Sequence, residues 1–145
     1  MKTILVLSRL EFANLPVDPE SVALRMVNPN TEHVLVSGYS EDLGLKFLDL
    51  EEAYGNNLPI QPHHAHAIIS FLMLTKHRNR FVFHCEHGQS RSHTCAMFFA
   101  QEILKDEVLT SLLASVQEKS INYAVWEALK IAHFKFTKEG ARCLI

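Results

Sequence analysis

Short apolar runs bounded by polar punctuation fill the first half of the chain, and longer runs at helical spacing follow residue 90. Ile4–Leu7 reads as a buried strand. Ser8–Pro16 is loop-like. Asp18, with Pro19 at a first helical position, predicts a short helix over Pro19–Met26. Asn28-Pro29-Asn30 is turn punctuation. His33–Ser37 reads as a second strand ended by Gly38, and Leu45–Leu50 as a third whose end carries Asp49. Gly55-Asn56-Asn57, Pro59 and Pro62 mark a loop. Ala65–Leu74 is helical in composition and stops around Lys76-His77-Arg78-Asn79. Arg80–His84 is the central strand. Ser92 to about Lys105 presents Cys95, Phe98, Phe99, Glu102 and Ile103 at helical spacing. Leu109–Gln117 and Asn122–Phe136 read as two more helices, with the last nine residues loosely attached. Tyr123 and Trp126 are assigned to the core. The order predicts an α/β fold: a mostly parallel sheet flanked by helices, with ligands at the carboxyl ends of the strands.

Composition narrows this picture. One domain, residues 1–145, is expected at this length, and 48% hydrophobic residues suffice for a sizeable core. A formal net charge of -2 favours neither nucleic acid nor an anionic membrane surface. The apolar run at Ile4–Leu7 is too short to span a bilayer, and no small-residue cleavage site follows it. Cys85, Cys95 and Cys143 are too few for a disulfide framework, so a reduced, cytoplasmic setting is expected. Cys95 reads as a buried apolar side chain.

The candidate chemistry lies in Phe81-Val82-Phe83-His84-Cys85-Glu86-His87-Gly88-Gln89-Ser90-Arg91-Ser92. Read as strand, tight loop and helix, it sets a thiol beneath a ring of backbone N–H groups from Glu86, His87, Gly88, Gln89 and Ser90. Such a ring, backed by a helix N-terminus, is an anion site. Arg91 closes it with a planar fork that matches two oxygens of one phosphate. The same donors favour a thiolate, the nucleophilic form of cysteine. Gly88 is expected in a conformation that a Cβ would resist. Ser92 is placed either to cap the helix or to turn its hydroxyl toward the sulfur.

His84-Cys85, five residues with glycine third, then Arg91-Ser92, resembles the signature loop of the cysteine-dependent protein tyrosine phosphatases. The short chain is similar to their compact dual-specificity type. That resemblance implies hydrolysis of phosphomonoesters through a phosphocysteine on Cys85, without metal or cofactor. It also implies a general acid on a separate loop some thirty-odd residues before the cysteine. Asp49 lies 36 residues before Cys85, and Asp42, Glu51 and Glu52 are also in range. A thiolate and a protonated acid must coexist, so a bell-shaped, mildly acidic rate profile is expected. His84 either stiffens the loop from a buried position or tunes the nucleophile through a backbone carbonyl.

Substrates implied are phosphorylated proteins or simple phosphomonoesters. Family members acting on polyphosphorylated lipids tend to carry lysines inside this loop, where this chain has Glu86 and none. The histidine-rich stretch His63, His64 and His66 lacks zinc-type pairing and reads as a helix start near the site mouth. Two alternatives remain open. One is a pseudophosphatase that binds phosphorylated ligands without cleaving them. The other is a rhodanese-like sulfurtransferase, against which Gly88, Ser90-Arg91-Ser92 and the helical C-terminal half count.

Overall fold

A computed structural model describes residues 2–33 and 37–143, with side chains through residue 139. Four strands form one parallel sheet: β1 (Thr3–Ser8), β2 (Ser21–Val27), β3 (Glu41–Lys46) and β4 (Arg80–Cys85), in the order β1-β4-β2-β3. The two inner strands, β4 and β2, are the most buried, as strands covered on both faces must be.

Alternation along β4 divides its side chains between two cores. Phe81, Phe83 and Cys85 join the large cluster, with Val22, Leu24 and Met26 of β2. That cluster is covered by α2 (Pro62–Thr75), α3 (Arg91–Phe98) and α5 (Tyr123–Cys143). Val82 belongs to a smaller cluster on the opposite face, with Ala23 and Phe12. Phe12 sits on α1 (Arg9–Asn14) and stacks on the His84 ring at 4.4 Å between centroids. The residue before the cysteine is thereby clamped from the far side of the sheet.

Several elements differ from the sequence expectation. Ser8–Pro16 is not a loop, because Ser8 Oγ accepts from Glu11 N (3.1 Å) and Glu11 Oε1 from Ser8 N (2.9 Å). This reciprocal cap starts α1. The helix expected over Pro19–Met26 is strand β2. Asp18 Oδ1 accepts from Glu20 N (2.9 Å) and Asp18 O from Ser21 N (3.0 Å), so the helix-start chemistry closes a turn instead. The apolar run behind it then inserts between β4 and β3.

The third strand ends at Lys46, earlier than expected, which leaves Asp49 on the loop beyond it. The strand expected over His33–Ser37 falls on residues 34–36, outside those described. Helix α2 starts at Pro62, which fits a first helical position because it has no N–H to satisfy.

Helix α3 is shorter than expected. A π-helical stretch, Phe99–Ile103, follows it, with Leu104 N donating to Phe99 O (2.9 Å). Helix α4 spans Glu107–Ala114, and α5 runs through Cys143 across most of the tail expected to be loose. Trp126 packs edge-on against Phe98, but Tyr123, at the start of α5, is exposed rather than core.

Candidate active site

The loop after β4 takes its shape from where its carbonyls are tied. Glu86 O accepts from Arg9 N (3.2 Å), Gly88 O from Lys119 Nζ (2.5 Å) and Gln89 O from Ser120 N (2.8 Å). Ser90 O accepts from Thr94 N (2.8 Å) and Thr94 Oγ1 (2.7 Å). A trans peptide points its N–H opposite its C=O. Carbonyls held outward therefore turn the N–H groups of His87, Gln89, Ser90 and Arg91 to the other side. Among the described residues, no N–H of residues 87–90 donates to a protein acceptor. A row of unpaired amides at a helix start is an anion-binding arrangement.

Gly88 makes the turn possible. Its φ is +68°, and a Cβ there would lie 2.6 Å from Leu7 C and Ser8 N, both backbone atoms of β1. The end of the first strand is thus the floor under the loop.

Cys85 ends β4 and is buried. Its Sγ lies 3.1 Å from Ser92 Oγ, so the second helical residue turns its hydroxyl to the sulfur. The cap position falls to Ser90, whose side chain caps nothing and reaches Asp49 instead. Arg91 opens α3 and is 2% exposed. Its Nη1 donates to Phe47 O (2.5 Å), its guanidinium lies 5.9 Å from the Phe47 ring centre, and its Nε has no acceptor among the described residues. A buried cation with a free donor is costly unless an anion meets it.

Asp49 reaches the same loop from the segment that follows the edge strand β3, at the same carboxyl end of the sheet. Its Oδ1 accepts from Ser90 Oγ (2.8 Å) and from Asn122 Nδ2 (2.7 Å). The other carboxylates in range are placed differently. Asp42 pairs with Arg25 on the sheet, and Glu51 Oε1 accepts from Tyr123 N (3.4 Å). Of these, Asp49 alone is bonded to the cysteine loop.

The remaining loop residues divide by exposure. His87 and Gln89 are exposed, so their amides rather than their side chains face the cradle. Glu86 turns its carboxylate away, accepting from Asn28 N (3.1 Å) and from Arg9 Nε (3.3 Å). Burial pushes its pKa up, but the Asn28 N–H, Thr31, Arg9 and Arg91 outweigh that and hold it below the usual carboxylate range. Its charge is therefore compensated, and the repulsion expected from an acid in the loop is muted. His84 is buried with Nδ1 3.3 Å from Cys85 O. Burial pulls its pKa down to about 4, so the ring is neutral at pH 7. Cys95 is fully buried against Met26 Sδ (3.6 Å), with its thiol pushed up by burial, as a core side chain should be.

Lys119 and Asn122 carry no local sequence signal and were missed. Each acts across the fold, Lys119 on Gly88 O and Asn122 on Asp49, at separations of 31 and 73 residues. His63 and His64 open α2 with rings 4.0 Å apart, and His64 packs against Phe47 at the edge of the site.

No protein-family model matches the chain, and no curated protein matches it. Solved structures do. The crystal structure of human DUSP28 superposes with a TM-score of 0.60 at 10% identity, over 94% of both chains. PTPMT1 in complex with PI(5)P gives 0.54 at 20% identity, over 83% of this chain and 80% of that one. A mouse putative dual specificity phosphatase complexed with zinc tungstate gives 0.53 at 12% identity, over 82% and 74%. The chain therefore has the compact dual-specificity phosphatase-type fold, with its cysteine loop at the carboxyl end of the central strand.

Proposed function

We propose that the chain is a phosphatase that hydrolyses phosphomonoesters through a phosphocysteine on Cys85. One observation carries this assignment: a buried Arg91 with an unpaired Nε stands beside unpaired loop amides at Cys85. A tetrahedral dianion satisfies both sets of donors at once. It also comes to rest next to the sulfur, which turns attack into an intramolecular event.

In the first step Cys85 Sγ attacks phosphorus. The S–P bond forms as the P–O bond to the leaving group breaks, and a proton from Asp49 goes to the departing oxygen. The Ser92 hydroxyl donates to the sulfur when it is an anion, at the observed 3.1 Å. In the second step water attacks the phosphocysteine. Its proton returns to Asp49, the S–P bond breaks, and inorganic phosphate leaves. Arg91 and the loop amides hold the three equatorial oxygens throughout.

Phosphotyrosine, phosphoserine and phosphothreonine in proteins are the proposed substrates. One structural neighbour is bound to a phosphoinositide. Lipid headgroups therefore belong in the same substrate panel. The test is hydrolysis of 4-nitrophenyl phosphate by wild type and Cys85→Ser. Turnover by the wild type and none by Cys85→Ser is expected. Anion binding without turnover by the wild type overturns the assignment in favour of a binding module.

A further inference from the structure

We infer that Asn122 is a positioning residue that registers the proposed acid Asp49 to the cysteine loop and decides which carboxyl oxygen carries the proton. The inference rests on the phosphatase assignment. Asn122 is 3% exposed and sits just ahead of α5. Every polar group it owns is engaged. Its side-chain Oδ1 accepts from Val125 N (3.1 Å), capping α5. Its Nδ2 donates to Asp49 Oδ1 (2.7 Å) and to Leu50 O (3.2 Å). Its backbone N donates to Thr94 Oγ1 (2.9 Å), and that hydroxyl donates to Ser90 O (2.7 Å).

These bonds close a circuit. Ser90 Oγ donates to Asp49 Oδ1, Asn122 donates to the same oxygen, and Thr94 on α3 ties Asn122 back to Ser90. Helix α3 also begins with Arg91. The acid is thereby indexed to the helix that carries the proposed phosphate-binding guanidinium, although Asp49 itself is exposed.

The chemistry of the carboxyl group supplies the second half. A carboxyl oxygen has two in-plane acceptor positions. On Asp49 Oδ1 both are occupied by donors, Ser90 O–H and Asn122 N–H. A proton on Asp49 therefore resides on Oδ2. Oδ2 is the oxygen that protonates the leaving group and then takes the proton from water. Both Asn122 amide hydrogens point at the acid segment, because the amide oxygen is fixed by the cap. Aspartate in its place preserves the acceptor and loses both donors.

The test uses Asn122→Ser and Asn122→Asp, each of which keeps an N-cap acceptor for α5. Neither holds Asp49 through an amide donor. Both proteins should stay folded, read by thermal unfolding. The expected result is a loss of about 10-fold in kcat on a phosphoserine peptide. Turnover of 4-nitrophenyl phosphate should fall by less than about 3-fold, since that leaving group needs little protonation. KM should stay within about 2-fold on both. In an Asp49→Asn background the same substitutions should add nothing, which is the signature of residues acting as one unit. Losses of equal size on both substrates, or full additivity with Asp49→Asn, overturn the positioning role and leave only the cap. A wild type that turns over neither substrate overturns the phosphatase assignment instead.

Discussion

Residues 85–91 and residues 47–51 face each other across the Ser90–Asp49 hydrogen bond, and they are held in different ways. The cysteine loop is anchored from beneath and behind: by β1 under Gly88, by Arg9, Lys119 and Ser120 on its carbonyls, and by α3 as its continuation. The proposed acid segment has no strand or helix of its own: Phe47 is buried and its N donates to Val27 O (3.0 Å), and past Leu48 the chain is held by Asn122, Ser90 and Tyr123. On the proposed mechanism, attack demands one fixed geometry in the cradle, whereas the acid must only meet a leaving group whose size varies with the substrate. A cup anchored from several sides and facing a tethered arm suits both needs.

The largest effect should follow from breaking the cup at its centre. Cys85→Ser is expected to lower turnover by at least about 10³-fold, because no covalent intermediate forms. Its affinity for tungstate, read by calorimetry, should stay within about 10-fold of wild type, since Arg91 and the amides remain. Loss of anion binding together with turnover would mean that the sulfur shapes the cradle rather than only reacting in it.

Gly88→Ala attacks the same region through its backbone. The new Cβ would overlap Leu7 C and Ser8 N at 2.6 Å, at a φ of +68° that side chains resist. Neither β1 nor the loop can give way without moving the cysteine. Expected outcomes are a stability loss of about 2 kcal/mol or more in denaturant titration and at least about 10-fold lower kcat/KM. An alanine variant with wild-type stability and rate would refute the claim that β1 is the floor of the site.

The acid segment should answer more selectively. Asp49→Asn is expected to cost about 10²-fold on phosphoserine peptides and under about 10-fold on 4-nitrophenyl phosphate. Equal losses on both would point to one of the other acids. The Asp49 contacts argue otherwise, because its two donors come from the cysteine loop and from the residue that caps α5.

The same contrast explains what was legible in the chain. The cysteine loop is contiguous: strand residues Phe81 and Phe83, Gly88 at its turn and Arg91 at the helix start all lie within a dozen positions. Local geometry writes itself into local sequence, so the strand, the glycine turn and the helix start that carry Cys85 and Arg91 could be placed. Asp49 was placed by its distance from Cys85 and at the end of an expected strand that in fact ends at Lys46, before it. Its partners Ser90 and Asn122 lie 41 and 73 residues away, and pairings at such range leave no periodic trace. The misplaced elements fail for a different reason. Asp18-Pro19 offers a cap that suits a helix or a turn equally, and only the sheet slot between β4 and β3 decides. The Ser8–Glu11 capping box, by contrast, was present to be read, and it marks the helix that brings Phe12 beneath His84.

That helix sets the smallest of the expected effects, a pH dependence in the footing of the cysteine loop. His84 is neutral because burial against Phe12 lowers its pKa from 6.5 to about 4. The unfolded chain exposes the ring and takes up a proton near pH 6.5, where the folded protein does not. A group whose folded pKa is depressed supports the fold above its unfolded value and loses that support as pH falls toward its folded value. The window for His84 therefore runs from about pH 6.5 down to about pH 4. Between pH 7.5 and pH 5.5 its share is on the order of 1 kcal/mol. His33, His64, His93 and His133 are also lowered, chiefly by burial, and act in the same direction. Only the difference between wild type and His84→Phe isolates this one ring. Urea titrations at the two pH values should show the variant losing less stability on acidification, by about that amount. Identical pH slopes would mean that the folded protein protonates His84 readily, and that the stack with Phe12 does not keep water from the residue beside Cys85.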